Sequence, residues 1–117
     1  MSVARIYHNP RCSKSRQALA LIEEQGEAPE VIEYIKTPLD NASITELLTM
    51  LDMNARDLMR KQEDTYKELK LDNPDLSEAQ LVQALADYPR LLERPIVVRN
   101  GKAVVARPPE KVLELFA

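Results

Sequence analysis

Apolar positions alternate weakly over Val3-Ala4-Arg5-Ile6-Tyr7, a β-prone run that predicts a first strand, and Asn9-Pro10 breaks it. The spacing then changes. From Ser13 to about Gln25, Ala18, Leu19, Leu21 and Ile22 recur at helical intervals, and Gly26 stands where it would end the helix. Val31-Ile32-Glu33-Tyr34-Ile35 predicts a second strand. If the two strands are parallel, the helix between them is a right-handed crossover. Thr37-Pro38-Leu39-Asp40 is a turn, and beyond it the pattern turns wholly helical. Ser43 with Glu46 predicts a capping box ahead of Leu47, Leu48 and Leu51. A short helix follows over about Asn54 to Lys61, and an irregular piece over Thr65 to Leu69. Ser77 with Gln80 predicts a second capping box, for a helix ending near Tyr88-Pro89. Two strands, Pro95 to Val98 and Ala103 to Val105, flank Asn100-Gly101, a strong hairpin signal. Pro108-Pro109 then opens a last helix running to Phe116.

The order is therefore β-α-β, a helical insert over about residues 42–90, then β-β-α. Without the insert this is the α/β plan of a thioredoxin-like fold, a small mixed sheet with helices packed on it. At 117 residues the chain is expected to form one domain, residues 1–117, with enough length for a real core.

Composition narrows the setting. A hydrophobic fraction of 44% and a charged fraction of 30% fit a globular chain and argue against disorder. No apolar run approaches the ~20 residues of a membrane span. Arg5 and His8 interrupt any signal-peptide core, so a cytoplasmic location and no membrane partner are expected. One cysteine excludes an internal disulfide and a cysteine-built metal site; no metal and no bound cofactor are expected. The net charge of −3 argues against a nucleic-acid partner. No large apolar stripe exceeds core needs, so a monomer is the default.

The charges are unevenly placed. Residues 1–22 carry Arg5, Arg11, Lys14 and Arg16 and no acid, and residues 94–109 carry Arg94, Arg99, Lys102 and Arg107 and no acid. Seventeen of the nineteen carboxylates lie between Glu23 and Glu93. If the two basic segments meet, they make a local positive site able to focus a small anion.

Cys12 lies at the strand-to-helix turn, with His8 before it and Arg11, Lys14 and Arg16 around it. A free thiol titrates at ~8.5, and a helix N-terminus or neighbouring cations lower that by one to several units. Backbone N–H groups after Cys12 would also face a bound oxyanion. Most lone cysteines are inert small hydrophobes; here polar neighbours on both sides oppose burial, and a reactive thiolate is the favoured reading. Cys12-Ser13-Lys14-Ser15 is C-x-x-S, so Ser15 cannot serve as a resolving thiol. Position 18 is alanine where a C-x5-R phosphatase needs arginine. Arg94 and Arg107 gain weight because each abuts a strand end and a proline, Pro95 or Pro108.

Ile6-Tyr7-His8-Asn9-Pro10-x-Cys12 with Ser15-Arg16, then Leu58-Met59-Arg60-Lys61, Arg94-Pro95-Ile96-Val97-Val98 and Arg107-Pro108 occur in this order along the whole chain. Together they resemble the glutaredoxin-coupled arsenate reductases (ArsC-like), which share their fold with Spx-type regulators. Ser13-Lys14 after the thiol and an end at Ala117 resemble a shorter branch of that family. The resemblance implies that Cys12 attacks arsenate and that His8 favours its thiolate. Arg60, Arg94 and Arg107 would bind the oxyanion, while Asn9, Ser15, Arg16 and Pro95 support the loop. It also implies glutathione and glutaredoxin as external reductants and partners. Two alternatives stay open: a monothiol glutathione-linked redox protein, and a non-catalytic Spx-like regulator binding RNA polymerase. Ser15, which removes the C-x-x-C pair of the redox-sensing regulators, weighs against the last.

Overall fold

The structure is a computed structural model and describes residues 3–116. The chain divides into two compact units, one formed by Met1–Thr37 with Arg94–Ala117 and the other by Pro38–Glu93.

The first unit holds a four-stranded sheet in the order β2-β1-β3-β4. Strand β1 (Arg5–His8) pairs in parallel with β2 (Glu30–Glu33), placing Ile6 opposite Val31 and Tyr7 opposite Ile32. Its other edge pairs antiparallel with β3 (Ile96–Arg99), which in turn pairs antiparallel with β4 (Lys102–Val105). Helix α1 (Ser13–Glu24) connects β1 to β2, and a 3-10 helix over Pro109–Phe116 closes the chain against α1. This mixed sheet, entered by β-α-β and left by β-β and a helix, is thioredoxin-like. The core beneath α1 is Ala4, Ile6, Ala18, Ile22, Val97, Ala106 and Val112, all fully buried.

Local chemistry explains the punctuation. Gly26 follows α1 with φ +85°, a backbone region closed to most side chains and open to glycine. Asn100 and Gly101 both take positive φ, 54° and 76°, as a two-residue type I′ hairpin requires. β2 is shorter than predicted. Lys36 and Thr37 donate to the Glu33 carbonyl, turning the chain where the strand was expected to reach Ile35. The last helix is wound as a 3-10 helix.

Arg99 fastens this unit's far end. Its guanidinium reaches Glu27 Oε1 through Nε at 2.8 Å and Nη2 at 2.7 Å, donates to the Leu115 carbonyl at 2.8 Å, and lies 4.3 Å from the Phe116 ring centroid. Hydrogen bonding to Arg99 holds the Glu27 carboxyl below its usual range. A carboxyl lowered in the fold stabilises it above the ordinary glutamate value, and this is lost as pH falls through the folded value. Glu27→Gln is therefore expected to lower the melting temperature at neutral pH, with the gap from wild type closing in acid; a pH series of thermal melts reads this.

In the second unit lie α2 (Asn41–Leu51), α3 (Asp64–Glu68) and α4 (Glu78–Asp87), with one-turn 3-10 segments at Arg56–Leu58, between α2 and α3, and at Pro89–Leu91, after α4. The helices expected before Leu51 and after Ser77 fall within it. Ser77 Oγ accepts from the Gln80 N–H while Gln80 Oε1 accepts from the Ser77 N–H, so the predicted capping box is formed. Ser77→Ala is expected to cost about 1 kcal/mol, read by denaturant unfolding. The other predicted box is not formed. α2 starts a turn earlier, with Asp40 as its cap accepting from the Ser43 N–H at 2.8 Å. The helix expected over residues 54–61 is also replaced. After the turn at Arg56–Leu58 the backbone extends, and Met59 forms an antiparallel bridge with Leu92.

Candidate active site

β1 ends in a tight turn. The Cys12 N–H donates to the Asn9 carbonyl at 3.0 Å, and the Arg16 N–H donates to the Cys12 carbonyl at 3.0 Å to start α1. Cys12 is thus the N-cap residue of a twelve-residue helix, with an extended backbone (φ −94°, ψ 121°) and no capping hydrogen bond from its side chain. Asn9 Oδ1 accepts from the Arg11 N–H at 3.0 Å, and Arg16 Nη1 donates to the Pro10 carbonyl at 2.8 Å. Both bonds brace the turn from outside.

The thiol is half-buried. Burial alone would push it up, but the Ser15 N–H, the Arg94 charge, the Lys14 N–H and the Arg107 charge outweigh it and hold Cys12 below its ordinary value. The two acid-free segments therefore do converge in this unit. The charges that matter come from the distant segment, not from the cations next to Cys12 in sequence. Arg94 and Arg107 are tied to each other, Arg107 Nη1 donating to the Arg94 carbonyl at 3.2 Å. Each precedes a cis proline, Pro95 and Pro108, and Pro95 is fully buried at the start of β3. Arg107→Gln, which removes one of the two charges, is expected to raise the Cys12 pKa. The pH dependence of its alkylation by iodoacetamide measures this.

The remaining positive charges of these segments are partly answered. Arg5 pairs with Glu30 at 2.9 Å and Arg99 with Glu27, so acids from outside the basic runs are spent on them.

His8 sits at the end of β1, 6% exposed. Burial lowers its pKa, and Arg16 adds to this against the opposing pull of Glu33. The ring is therefore neutral near pH 7 and does not act on Cys12 as a further cation. Its Nδ1 lies 2.6 Å from Ser15 Oγ. Ser15 is fully buried, and its Oγ also accepts the Asn9 N–H at 3.1 Å. The sequence marks Ser15 as the thiol that is missing, and the family resemblance marks it as a residue supporting the loop. Its contact with His8 was not foreseen, although seven residues separate the two across a strand-turn-helix, a spacing that brings a strand's last side chain to the first helical turn.

Arg60 belongs to the second unit. Its N–H donates to the Leu91 carbonyl at 2.7 Å, and its guanidinium donates to Glu63 Oε1 at 2.6 Å, with both side chains about three-quarters buried. The charge available on Arg60 is thus shared with a carboxylate. Among the described residues, no cluster of three or more His, Cys, Asp or Glu side chains could hold a metal ion. No helix among them is long and apolar enough to cross a membrane.

Chemically, the turn offers a thiolate at a helix N-terminus, with the Lys14 and Ser15 N–H groups and two guanidinium groups acting on the sulfur. That combination suits nucleophilic attack on a small oxyanion.

Known proteins resemble this chain in sequence and fold. The chain is 59% identical over 112 residues to the Escherichia coli K12 protein YfgD, covering 95% of this chain and 94% of that one. It is 52% identical over 113 residues to an arsenate reductase of Neisseria meningitidis, covering 96% and 97%. Among solved structures, the arsenate reductase from Vibrio cholerae superposes with a TM-score of 0.95 at 50% identity, covering 97% of this chain and 98% of that one. The family model of the ArsC family matches residues 7–115, a span that holds Cys12 and both arginines acting on it, and the chain belongs to that family.

Proposed function

We propose that this protein is an arsenate reductase using Cys12 as nucleophile. The Cys12 thiolate attacks arsenic(V), and an arsenate oxygen leaves as water to give a Cys12-S-arsenate adduct. Arg94 and Arg107 offset the oxyanion charge as the sulfur–arsenic bond forms. Glutathione then attacks the Cys12 sulfur; the S–As electron pair goes to arsenic, which leaves as arsenite. This produces a Cys12–glutathione disulfide. Glutaredoxin removes the glutathione and restores the thiol. Two thiols supply the two electrons. Ser15 offers no internal second thiol, so the second must come from outside the chain.

The observation that carries this reading is the lowered Cys12 thiol at an uncapped helix N-terminus under Arg94 and Arg107. The arsenate reductases among its relatives support arsenate as the oxyanion. The test couples the protein to glutathione, glutaredoxin, glutathione reductase and NADPH. Arsenate-dependent NADPH oxidation is expected. If NADPH consumption is the same with and without arsenate, the reading fails, and glutathionylation of Cys12 by oxidised glutathione alone would favour the monothiol redox role.

A further inference from the structure

The Ser15 hydroxyl has a use that its place as a missing thiol does not explain. Asn9 brackets the Cys12 turn with both its backbone groups: its carbonyl takes the Cys12 N–H at 3.0 Å, and its N–H goes to Ser15 Oγ at 3.1 Å. The same Oγ lies 2.6 Å from His8 Nδ1, with Ser15 fully buried and His8 nearly so. One oxygen thus joins the end of β1, the turn and the first turn of α1.

The proton count fixes the direction of the His8 bond. Ser15 Oγ already accepts from Asn9. If His8 Nδ1 also donated, the hydroxyl proton would have no acceptor among the described residues, inside a buried site where unmade hydrogen bonds are costly. If the hydroxyl donates to Nδ1, the hydroxyl proton and the Nδ1 lone pair are both used, and the ring carries its proton on Nε2.

We propose that Ser15 is a positioning residue for Cys12: its hydroxyl, donating to His8 Nδ1 while accepting from Asn9, locks His8 as the neutral Nε2–H tautomer and pins the first turn of α1. The consequence falls on Cys12. The Ser15 and Lys14 N–H groups act on its sulfur, and both belong to the pinned turn. Glu33 on β2 would draw a proton onto His8, while Arg16 on α1 and burial oppose it. His8 therefore serves Cys12 by geometry, with no charge of its own. The inference rests on Cys12 being the nucleophile and is independent of its substrate.

The chain carries one histidine and one cysteine, so each gives an unambiguous signal. Nitrogen-15 NMR of labelled histidine at pH 7 is expected to show an unprotonated, hydrogen-bonded Nδ1 and a protonated Nε2. Ser15→Ala should release the ring to a mixture of tautomers. It should also raise the midpoint of Cys12 alkylation by about half a unit, roughly a threefold loss of thiolate well below the midpoint. Ser15→Thr keeps the hydroxyl and should restore both signals. A wild-type ring that is imidazolium or Nδ1-protonated at pH 7 overturns the proposal. So does a folded Ser15→Ala with an unchanged ring spectrum and alkylation midpoint. Where a variant fails to fold, the wild-type spectrum decides alone. Neither readout involves arsenate, so a chain inactive on arsenate leaves these outcomes standing as the test.

Discussion

Cys12→Ser is expected to remove arsenate-dependent thiol oxidation by at least about a thousandfold, the scale seen when a sole nucleophile is deleted. The chemistry leaves no detour. A serine hydroxyl is not ionised near neutral pH and cannot give up electrons to arsenic or form a mixed disulfide. The same substitution is expected to leave the melting temperature unchanged or raise it. Cys12 occupies the N-cap of α1 without making a capping hydrogen bond, and serine is among the preferred caps. A serine oxygen is a stronger acceptor than a thiol sulfur for the Lys14 and Ser15 N–H groups that face it. Activity and stability thus move apart at one atom. The paired measurement is the coupled assay beside a thermal melt: loss of both together would point to misfolding, and retention of activity would remove Cys12 as nucleophile.

Ile22→Ala is expected to destabilise the protein by about 2–5 kcal/mol, measured by denaturant unfolding. Ile22 is fully buried on α1, in the cluster that also holds Ile6 of β1, Val97 of β3 and Val112 of the closing 3-10 helix. Truncation removes apolar area and leaves a void that strands and helix must close together. Total stabilities of ~5–15 kcal/mol make this a large share. The site should suffer too, since α1 carries Cys12 at one end and Ile22 near the other. Leu113, 38% exposed on the closing helix, is the control. Leu113→Ala should cost far less, and equal losses at the two positions would contradict the assigned core.

Much of the first unit was legible because its signals are local. Asn100-Gly101, Gly26 and the alternation around Ile6 each act within a few residues. The second unit misled where a residue read as part of a turn became the cap. Ser43 with Glu46 carries the capping signal, but Asp40, three residues earlier, holds the position. Asp40 is used, because its carboxylate reaches the Ser43 N–H and absorbs the would-be cap into the helix. The stretch over residues 54–61 was misread for a different reason. Met59 pairs with Leu92, and no periodicity near Met59 announces a partner so far along the chain. In the site, Cys12 was visible from its neighbours, and the two acid-free segments indicated Arg94 and Arg107. The direction of His8 was not, since a charge state depends on burial, and burial is a property of the fold. Arg60 entered through family resemblance alone, and its pairing with Glu63 could be seen only in three dimensions.

The ion pairs Arg5–Glu30 and Arg99–Glu27 bear on how the site should respond to salt. Both lie on arginines of the basic segments, and both cancel charge that would otherwise spread attraction along the sheet. The charges that act on Cys12 are those of two guanidinium groups, Arg94 and Arg107. At physiological ionic strength, fields from exposed charges fade over about 8 Å. Added salt should therefore weaken capture of a small anion as it would at a two-charge site, mildly, and not as on an extended basic surface. A protein with an acidic overall balance can in this way hold an anion site that stays largely indifferent to polyanions.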